Sequence, residues 1–421
     1  MYSDSPWRIS DFRVLFTATA LSQIGTHIGY VAMPLIAVSV LDASPGQVGA
    51  LATLSTVAFL LIGLPAGAWV DRMRHRQVLI LADLIRSALF LSVPLAWWSG
   101  SLTLEQLYVV ALLNGCATVF FDVGSQSVLP QLVGRGGLVQ ANAAVVTLIS
   151  GSNVAGRGAG GGLVQLLTAP VALVCTAASF LGSALRLLGL RPTPAPQPST
   201  GSSARLGTQI AEGVRHVFRN RELRALALTA AVTNLGVQIV NTVIPILFVR
   251  QLGLPEGVLG LFWAVGGAGL LLGARCARFV ADRLGYGRCL GIVGLFLAPA
   301  GLLVPLVDRG IWLWLAGAGW LLAMMKTGMD NVVGVSLRQR MTSQALLGRM
   351  NASFRFLLTG ALAIGSAVAG VVGQFAGVHT AIWVGGALLS VAFLPVFLSP
   401  LRTRRELPQQ QEEHEEEEQP V

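Results

Sequence analysis

The sequence predicts an all-α integral membrane protein of twelve transmembrane helices, arranged as two pseudo-symmetric six-helix bundles. Three observations predict it. Of 421 residues, 53% are hydrophobic and 12% charged, and mean hydropathy is +0.68; a soluble domain charges roughly a quarter of its residues. Apolar stretches matching the ~20 residues that cross a bilayer recur along the chain. The two halves of the chain also repeat one another.

The spans fall near 13–40, 47–70, 77–98, 104–128, 141–166, 169–190, 225–249, 258–281, 288–307, 311–335, 351–376 and 380–399. Each is expected to be helical, because lipid offers backbone amides no partners. The 49 glycines suit such helices by letting them approach closely, and Gly63 with Gly67 has the Gly-x-x-x-Gly spacing. The spans divide the chain into an N-terminal bundle (1–190), a linker (191–223), a C-terminal bundle (224–400) and an acidic tail (401–421).

Basic residues set the expected orientation. Arg72, Arg74 and Arg76 follow the second span and Arg135 the fourth, while Arg215, Arg219, Arg221 and Arg224 precede the seventh. Arg283 and Arg288 follow the eighth, Arg338, Arg340 and Arg349 the tenth, and Arg402, Arg404 and Arg405 the last. The alternate loops hold little charge, so both termini are expected in the cytoplasm. The net charge of +9 reflects this asymmetry and implies no nucleic-acid partner. Asp4 and Asp11 beside Arg8 and Arg13, ahead of a long first span, do not read as a cleavable signal peptide. Cys116, Cys175, Cys276 and Cys289 are scattered singly, which supports neither a zinc site nor a disulfide framework. Lys326 is the only lysine, and with the Ala/Gly/Leu bias this points to a bacterial cell membrane.

At an offset of 211 residues, Gly25 falls on Gly236, Pro34 on Pro245, Gly46 on Gly257, Gly49 on Gly260 and Asp71-Arg72 on Asp282-Arg283. At 209, Asn142 meets Asn351, Gly156 meets Gly365, Gly161 meets Gly370 and Gln165 meets Gln374. Each half starts on the same side with six spans, a parallel repeat about an axis normal to the membrane. Secondary transporters use that plan, with substrate held between the halves. Between the halves, 191–204 is Pro/Ser-rich, and 205–221 forms a basic amphipathic helix with Leu206, Ile210, Val214, Val217 and Phe218 on one side, expected at the cytoplasmic interface. The tail ends in EEHEEEE, a solvated extension.

After the second span the chain reads Gly67-Ala-Trp-Val-Asp71-Arg72-Met-Arg74-His75-Arg76, and after the eighth Asp282-Arg283-Leu-Gly285-Tyr-Gly287-Arg288. These stretches resemble the Gly-x-x-x-Asp-Arg-x-Gly-Arg-Arg loop of the major facilitator superfamily, with Arg74 and Arg278 in place of two glycines. Pro130-Gln131-Leu132-Val133, Leu138 through Ala141-Asn142-Ala143, and Leu347-Gly348-Arg349-Met350-Asn351-Ala352-Ser353 resemble its drug:proton antiporter branch, which holds macrolide-efflux and enterobactin-exporter proteins. The resemblance covers roughly residues 8–400. It implies a cytoplasmic gate at Gly67, Asp71, Arg72, Arg76, Asp282, Arg283 and Arg349, with Arg349 or Arg355 as Asp71's partner. In span five the branch's Gly-Pro is replaced in Ala155-Gly156-Arg157-Gly158, so that motif's role does not transfer.

Polar groups inside a membrane are functional candidates. Gln23, His27, Tyr30 and Pro34 share a face of span one, and Asn234, Gln238, Asn241 and Pro245 repeat it in span seven. Cavity lining and interhelical hydrogen bonding both fit these stripes. Asn114 and Asp122 share a face of span four, Arg157 lies in span five, and Lys326 with Asp330 sits at i, i+4 in span ten. Together these form the expected substrate cavity. Asp83 and Arg86 read as an inert pair. Proton coupling needs a group that gains and loses its proton between states; Asp122 is the first candidate, then His27 and Asp330. Arg157 lies roughly 13 Å deeper than Asp122 at 1.5 Å per residue, so the two are not expected to pair, and Arg157 is expected to favour an anionic substrate group.

The expected function is proton-coupled efflux of drug-like or natural-product molecules by a monomer in the lipid bilayer. No cofactor is expected beyond the proton gradient. A nutrient importer or facilitator on the same fold stays open, as does a transport-dead receptor. An ATP-driven pump is disfavoured because Lys326 lacks the glycines of a phosphate-binding loop.

Overall fold

The computed structural model describes residues 5–70, 72–191, 206–343 and 346–403. Among them the regular structure is helical. The first four spans are α1 (Ser10–Ser39), α2 (Pro45–Val70), α3 (His75–Trp98) and the first limb of a helix running Leu104–Leu167. Gly134 breaks that helix with φ 63° and ψ −179°, a conformation open to glycine and strained for any residue with a Cβ. The limbs are α4 (104–133) and α5 (135–167). Then follow α6 (Ala169–Leu187), the linker helix α7 (Leu206–Arg219), α8 (Arg221–Pro245), α9 (Glu256–Leu284), α10 (Tyr286–Leu297), α11 (Ile311–Arg340), α12 (Leu347–Phe375) and α13 (Val378–Val391).

Ten of the described helices are long and apolar enough to cross a membrane. α5 and α11 have the length but are not among them, and they carry Asn142, Asn153 and Arg157, and Lys326, Asp330 and Asn331. Helices that polar must face protein rather than lipid. Here α5 packs on α1 and α9, and α11 packs on α9.

The glycines of the repeat mark helix crossings. A Cβ on Gly25 would stand 3.1 Å from the Thr176 carbonyl of α6, and one on Gly236 2.9 Å from the Gly385 carbonyl of α13. Gly156 packs on His27, and Gly365 packs on Leu235 and Gln238. The repeat in sequence is thus a repeat in packing.

The halves meet at the end of the bundle distal to both termini. α2 crosses α12 where a Cβ on Gly49 would lie 2.4 Å from the Gly370 Cα, and α5 crosses α9 where one on Gly161 would lie 2.6 Å from the Gly260 Cα. No side chain fits either crossing. Beside the first, the Gly46 amide donates to the Gln374 Oε1 at 3.1 Å; beside the second, Gln165 lies against Gly257. Arg250, in the π-helical turn Ile246–Gln251 that ends α8, spans the halves there too. Its guanidinium donates to the Val38 and Ala43 carbonyls at 2.8 and 2.9 Å and pairs with Asp42 at 3.2 Å.

The linker helix α7 docks on the first turns of α12, where a Cβ on Gly213 would meet the Ser353 Oγ and the Arg349 carbonyl. The acidic run and the Pro/Ser-rich linker lie outside the described residues.

Candidate substrate cavity

A cavity of about 490 Å³ lies between the halves, on the proximal side of the two glycine crossings. On α1 its wall is Thr26, Gly29, Tyr30, Met33 and Pro34. At 100° per residue this face spans about 140°. Gln23 falls inside it but about 4.5 Å nearer the start of α1 than Thr26, and His27 falls about 20° beyond its edge. Tyr30 and Pro34 therefore face the cavity, and Gln23 and His27 are not among its lining residues. His27 is turned toward α5, where its Cβ packs on Gly156, and its Nε2 is buried without a partner among the described residues. Of the polar stripe predicted on span one, the distal pair Tyr30 and Pro34 lines the cavity and the proximal pair Gln23 and His27 does not.

Asn114, Arg157, Gln238 and Asn241 line the cavity with Tyr30. Each has its orientation fixed. The Arg157 guanidinium covers the Tyr30 ring at 4.4 Å, and its Nε has no partner among the described residues. Tyr30 in turn packs edge-on against Trp263 at 5.4 Å, whose Nε1 donates to the Asn241 Oδ1 at 2.9 Å. The Gln238 Nε2 donates to the Ser366 Oγ of α12 at 2.9 Å. Nothing in the apolar run of α9 singles out Trp263 before the fold is known.

Arg86 also lines the cavity, contrary to its reading as an inert partner of Asp83. It is 1% exposed and pairs with Asp83 at 3.1 Å. It also donates to the Ser22 Oγ at 2.9 Å, to the Thr26 Oγ1 at 2.6 Å and to the Asn114 Oδ1 at 3.4 Å, and stacks on Phe180 at 3.8 Å. The i, i+3 spacing of Asp83 and Arg86 shows their pairing but not this wider net. Asp122 lies one turn beyond Thr118, the last α4 residue of the lining. No ion pair joins Asp122 to Arg157 among the described residues.

Asn234 and Asp330 are set apart from this cavity. They line a second one of about 250 Å³ inside the C-terminal half, with Thr229, Thr233, Arg338 and Phe354. Asp330 is ion-paired there with the buried Lys326. The Thr229 and Thr233 hydroxyls and the Arg338 Nε are buried and without partners among the described residues.

The gate residues suggested by the resemblance are scattered. Asp71 lies outside the described residues. Gly67 faces open space, and Arg72 is exposed. Arg76 donates to the Leu187 and Leu188 carbonyls at 3.4 and 2.6 Å, capping α6 as cations do at helix C-termini. Asp282 accepts from the Tyr286 hydroxyl at 3.3 Å and pairs with Arg278 at 3.8 Å, while Arg283 stacks on Phe279 at 4.0 Å. The Arg349 carbonyl accepts from the Ser353 Oγ at 2.9 Å.

The cavity can hold a drug-sized molecule, whose pockets run about 300–1,000 Å³. Tyr30, Phe59, Phe90 and Trp263 offer aromatic surface, and Asn114, Thr56 and Thr242 offer hydrogen bonds. Two arginines and no carboxylate stand among the lining residues. Asp83 matches the charge of Arg86, so Arg157 carries the charge at this wall that no described carboxylate pairs, which suits neutral or anionic amphipathic molecules over cationic ones.

The family described as Major Facilitator Superfamily matches residues 15–308. Multidrug efflux pump Tap of Mycolicibacterium fortuitum is 27% identical over 404 residues, covering 92% of this chain and 95% of Tap. Enterobactin exporter EntS of Citrobacter koseri is 27% identical over 405 residues, 94% of each chain. Among solved structures, the nucleoside transporter NupG superposes with a TM-score of 0.76 at 14% identity, over 92% of this chain and 99% of NupG; identity that low carries the fold alone.

Proposed function

The chain belongs to the Major Facilitator Superfamily of membrane transporters, and from that membership we propose that it exports neutral or anionic amphipathic molecules, driven by the proton gradient. The observation that carries this reading is the cavity between the halves, aromatic on one side and lined by Arg86 and Arg157 without a carboxylate. The likeness to Tap and EntS along nearly the whole chain supports export over import. With both termini cytoplasmic, the joined distal end is extracellular, and alternating access then requires the glycine crossings to part. Asp122 leads as proton carrier because it stands one turn from Thr118 of the cavity wall on α4. Its protonation would change the field on an arginine of the cavity wall. His27 and Asp330 are the next candidates, His27 touching α5 and Asp330 tied to Lys326.

Direction and coupling are tested together in inverted membrane vesicles. An acid-inside gradient is expected to drive accumulation of an amphipathic anionic dye, and a protonophore to abolish it. Asp122→Asn is expected to cut gradient-driven accumulation at least ten-fold while leaving dye binding within two-fold. Accumulation by Asp122→Asn equal to wild type would remove Asp122 as the carrier. Efflux from these vesicles under the same gradient would establish import.

A further inference from the structure

A basic recess of about 730 Å³ opens at the proximal end of the C-terminal half. Arg221 and Arg224, in the first turn of α8, form one wall with Leu228 a turn deeper; Pro395, Leu398 and Arg402, where the chain leaves the bundle, form the other. Three arginines therefore line one recess, with no carboxylate among the lining residues. All three are exposed, and none has an ion-pair partner among the described residues; Arg402 only leans on the Phe397 ring at 5.7 Å. Directly toward the membrane, Leu228 is 41% and Leu398 75% exposed, an apolar surface that lipid must cover in a helix that spans a bilayer.

A ligand filling the recess must be anionic at the bundle's end and apolar along its side. Guanidinium forks match phosphate oxygens, and basic pockets between transmembrane helices hold acidic lipid headgroups. We propose that this recess binds an anionic phospholipid, its phosphate held by Arg221, Arg224 and Arg402 and its acyl chains lying along Leu228 and Leu398. The lipid bridges the start of α8 and the end of the last helix, two elements that the chain itself joins only at a distance of 178 residues (402 less 224). The site is remote from the substrate cavity and does not depend on the direction or coupling of transport.

Native mass spectrometry of the full chain in a neutral detergent tests this directly. Phosphatidylglycerol added at equal concentration with phosphatidylcholine is expected to form the retained adduct. Each arginine replaced by glutamine should weaken retention about five-fold, so that Arg221→Gln/Arg224→Gln/Arg402→Gln keeps little. Arg278→Gln, an exposed arginine at the same end already paired with Asp282, should retain phosphatidylglycerol as wild type does and serves as the control. Thermal unfolding of the triple variant within a few degrees of wild type in phosphatidylcholine alone establishes that it folds. Equal retention by triple variant and wild type overturns the proposal. So does displacement of the adduct by millimolar inorganic phosphate, which marks a free-phosphate site, and so does the lack of any phosphatidylglycerol preference, as a recess filled by the acidic tail would give.

Discussion

Arg86 and Arg157 line one cavity but are held in opposite ways. Arg86 has its charge matched by Asp83 and its donors shared among Ser22, Thr26 and Asn114. Removing one member of a buried pair leaves the other uncompensated, at a cost of about 3–5 kcal/mol. Arg86→Leu should therefore sharply lower the yield of folded protein, and Asp83→Asn with Arg86→Gln should recover much of it; yield is read by fluorescence-detected size exclusion. Arg157 has no carboxylate partner among the described residues and only the Tyr30 face beneath it, so its charge is free to act on a ligand. Arg157→Gln should fold normally, raise the KM for an anionic substrate about ten-fold, near the energy of a charged hydrogen bond, and leave a neutral substrate within two-fold. Equal effects on both substrates would remove the selectivity role.

Helix crossings decide what the distal end can do. At Gly49 and Gly161 the neighbouring backbones stand closer than any real Cβ contact, so even alanine must push α2 from α12 or α5 from α9. Overpacking of this kind destabilises by about 1–3 kcal/mol, and here the penalty falls only on the state in which the distal end is closed. Gly49→Ala should shift the protein toward a distally open state. In a chain with the four native cysteines replaced by serine, Thr56→Cys in the cavity wall should then react several-fold faster with an impermeant maleimide added outside cells. Gly162→Ala, with nothing within 4 Å of the added Cβ, should leave the rate unchanged. Gln374→Leu removes a single hydrogen bond to the Gly46 amide, about 1 kcal/mol, and should shift the rate in the same direction by less.

For the whole molecule, the spans, the repeat and the pairing of Lys326 with Asp330 were legible because each rests on local periodicity or on one offset. The repeat positions proved to be contacts: Gly46, Gly49, Gly161 and Gln165 and their counterparts build both distal crossings. The faces of helices were less legible. On α1, His27 and Tyr30 stand only about 60° apart on the helix, yet His27 packs on α5 and Tyr30 faces the cavity. On α8 the polar residues are divided between two cavities, because depth along the helix assigns Gln238 to one and Asn234 to the other, whereas Asp330 and Asn331 of α11 line only the second. Arg250 is unremarkable in sequence, since its partners, two carbonyls and Asp42, lie about 210 residues away in the other half.

Substrate is expected to pass through the cavity between the halves. Ala52 lines that cavity on α2, one turn from Gly49, and Ala52→Trp fills much of it. Gradient-driven accumulation of the amphipathic anion should be measured in inverted vesicles carrying wild type or this variant at equal folded amounts. Loss of at least ten-fold in both binding and accumulation is the result expected. Accumulation at the wild-type rate through a filled cavity would contradict it.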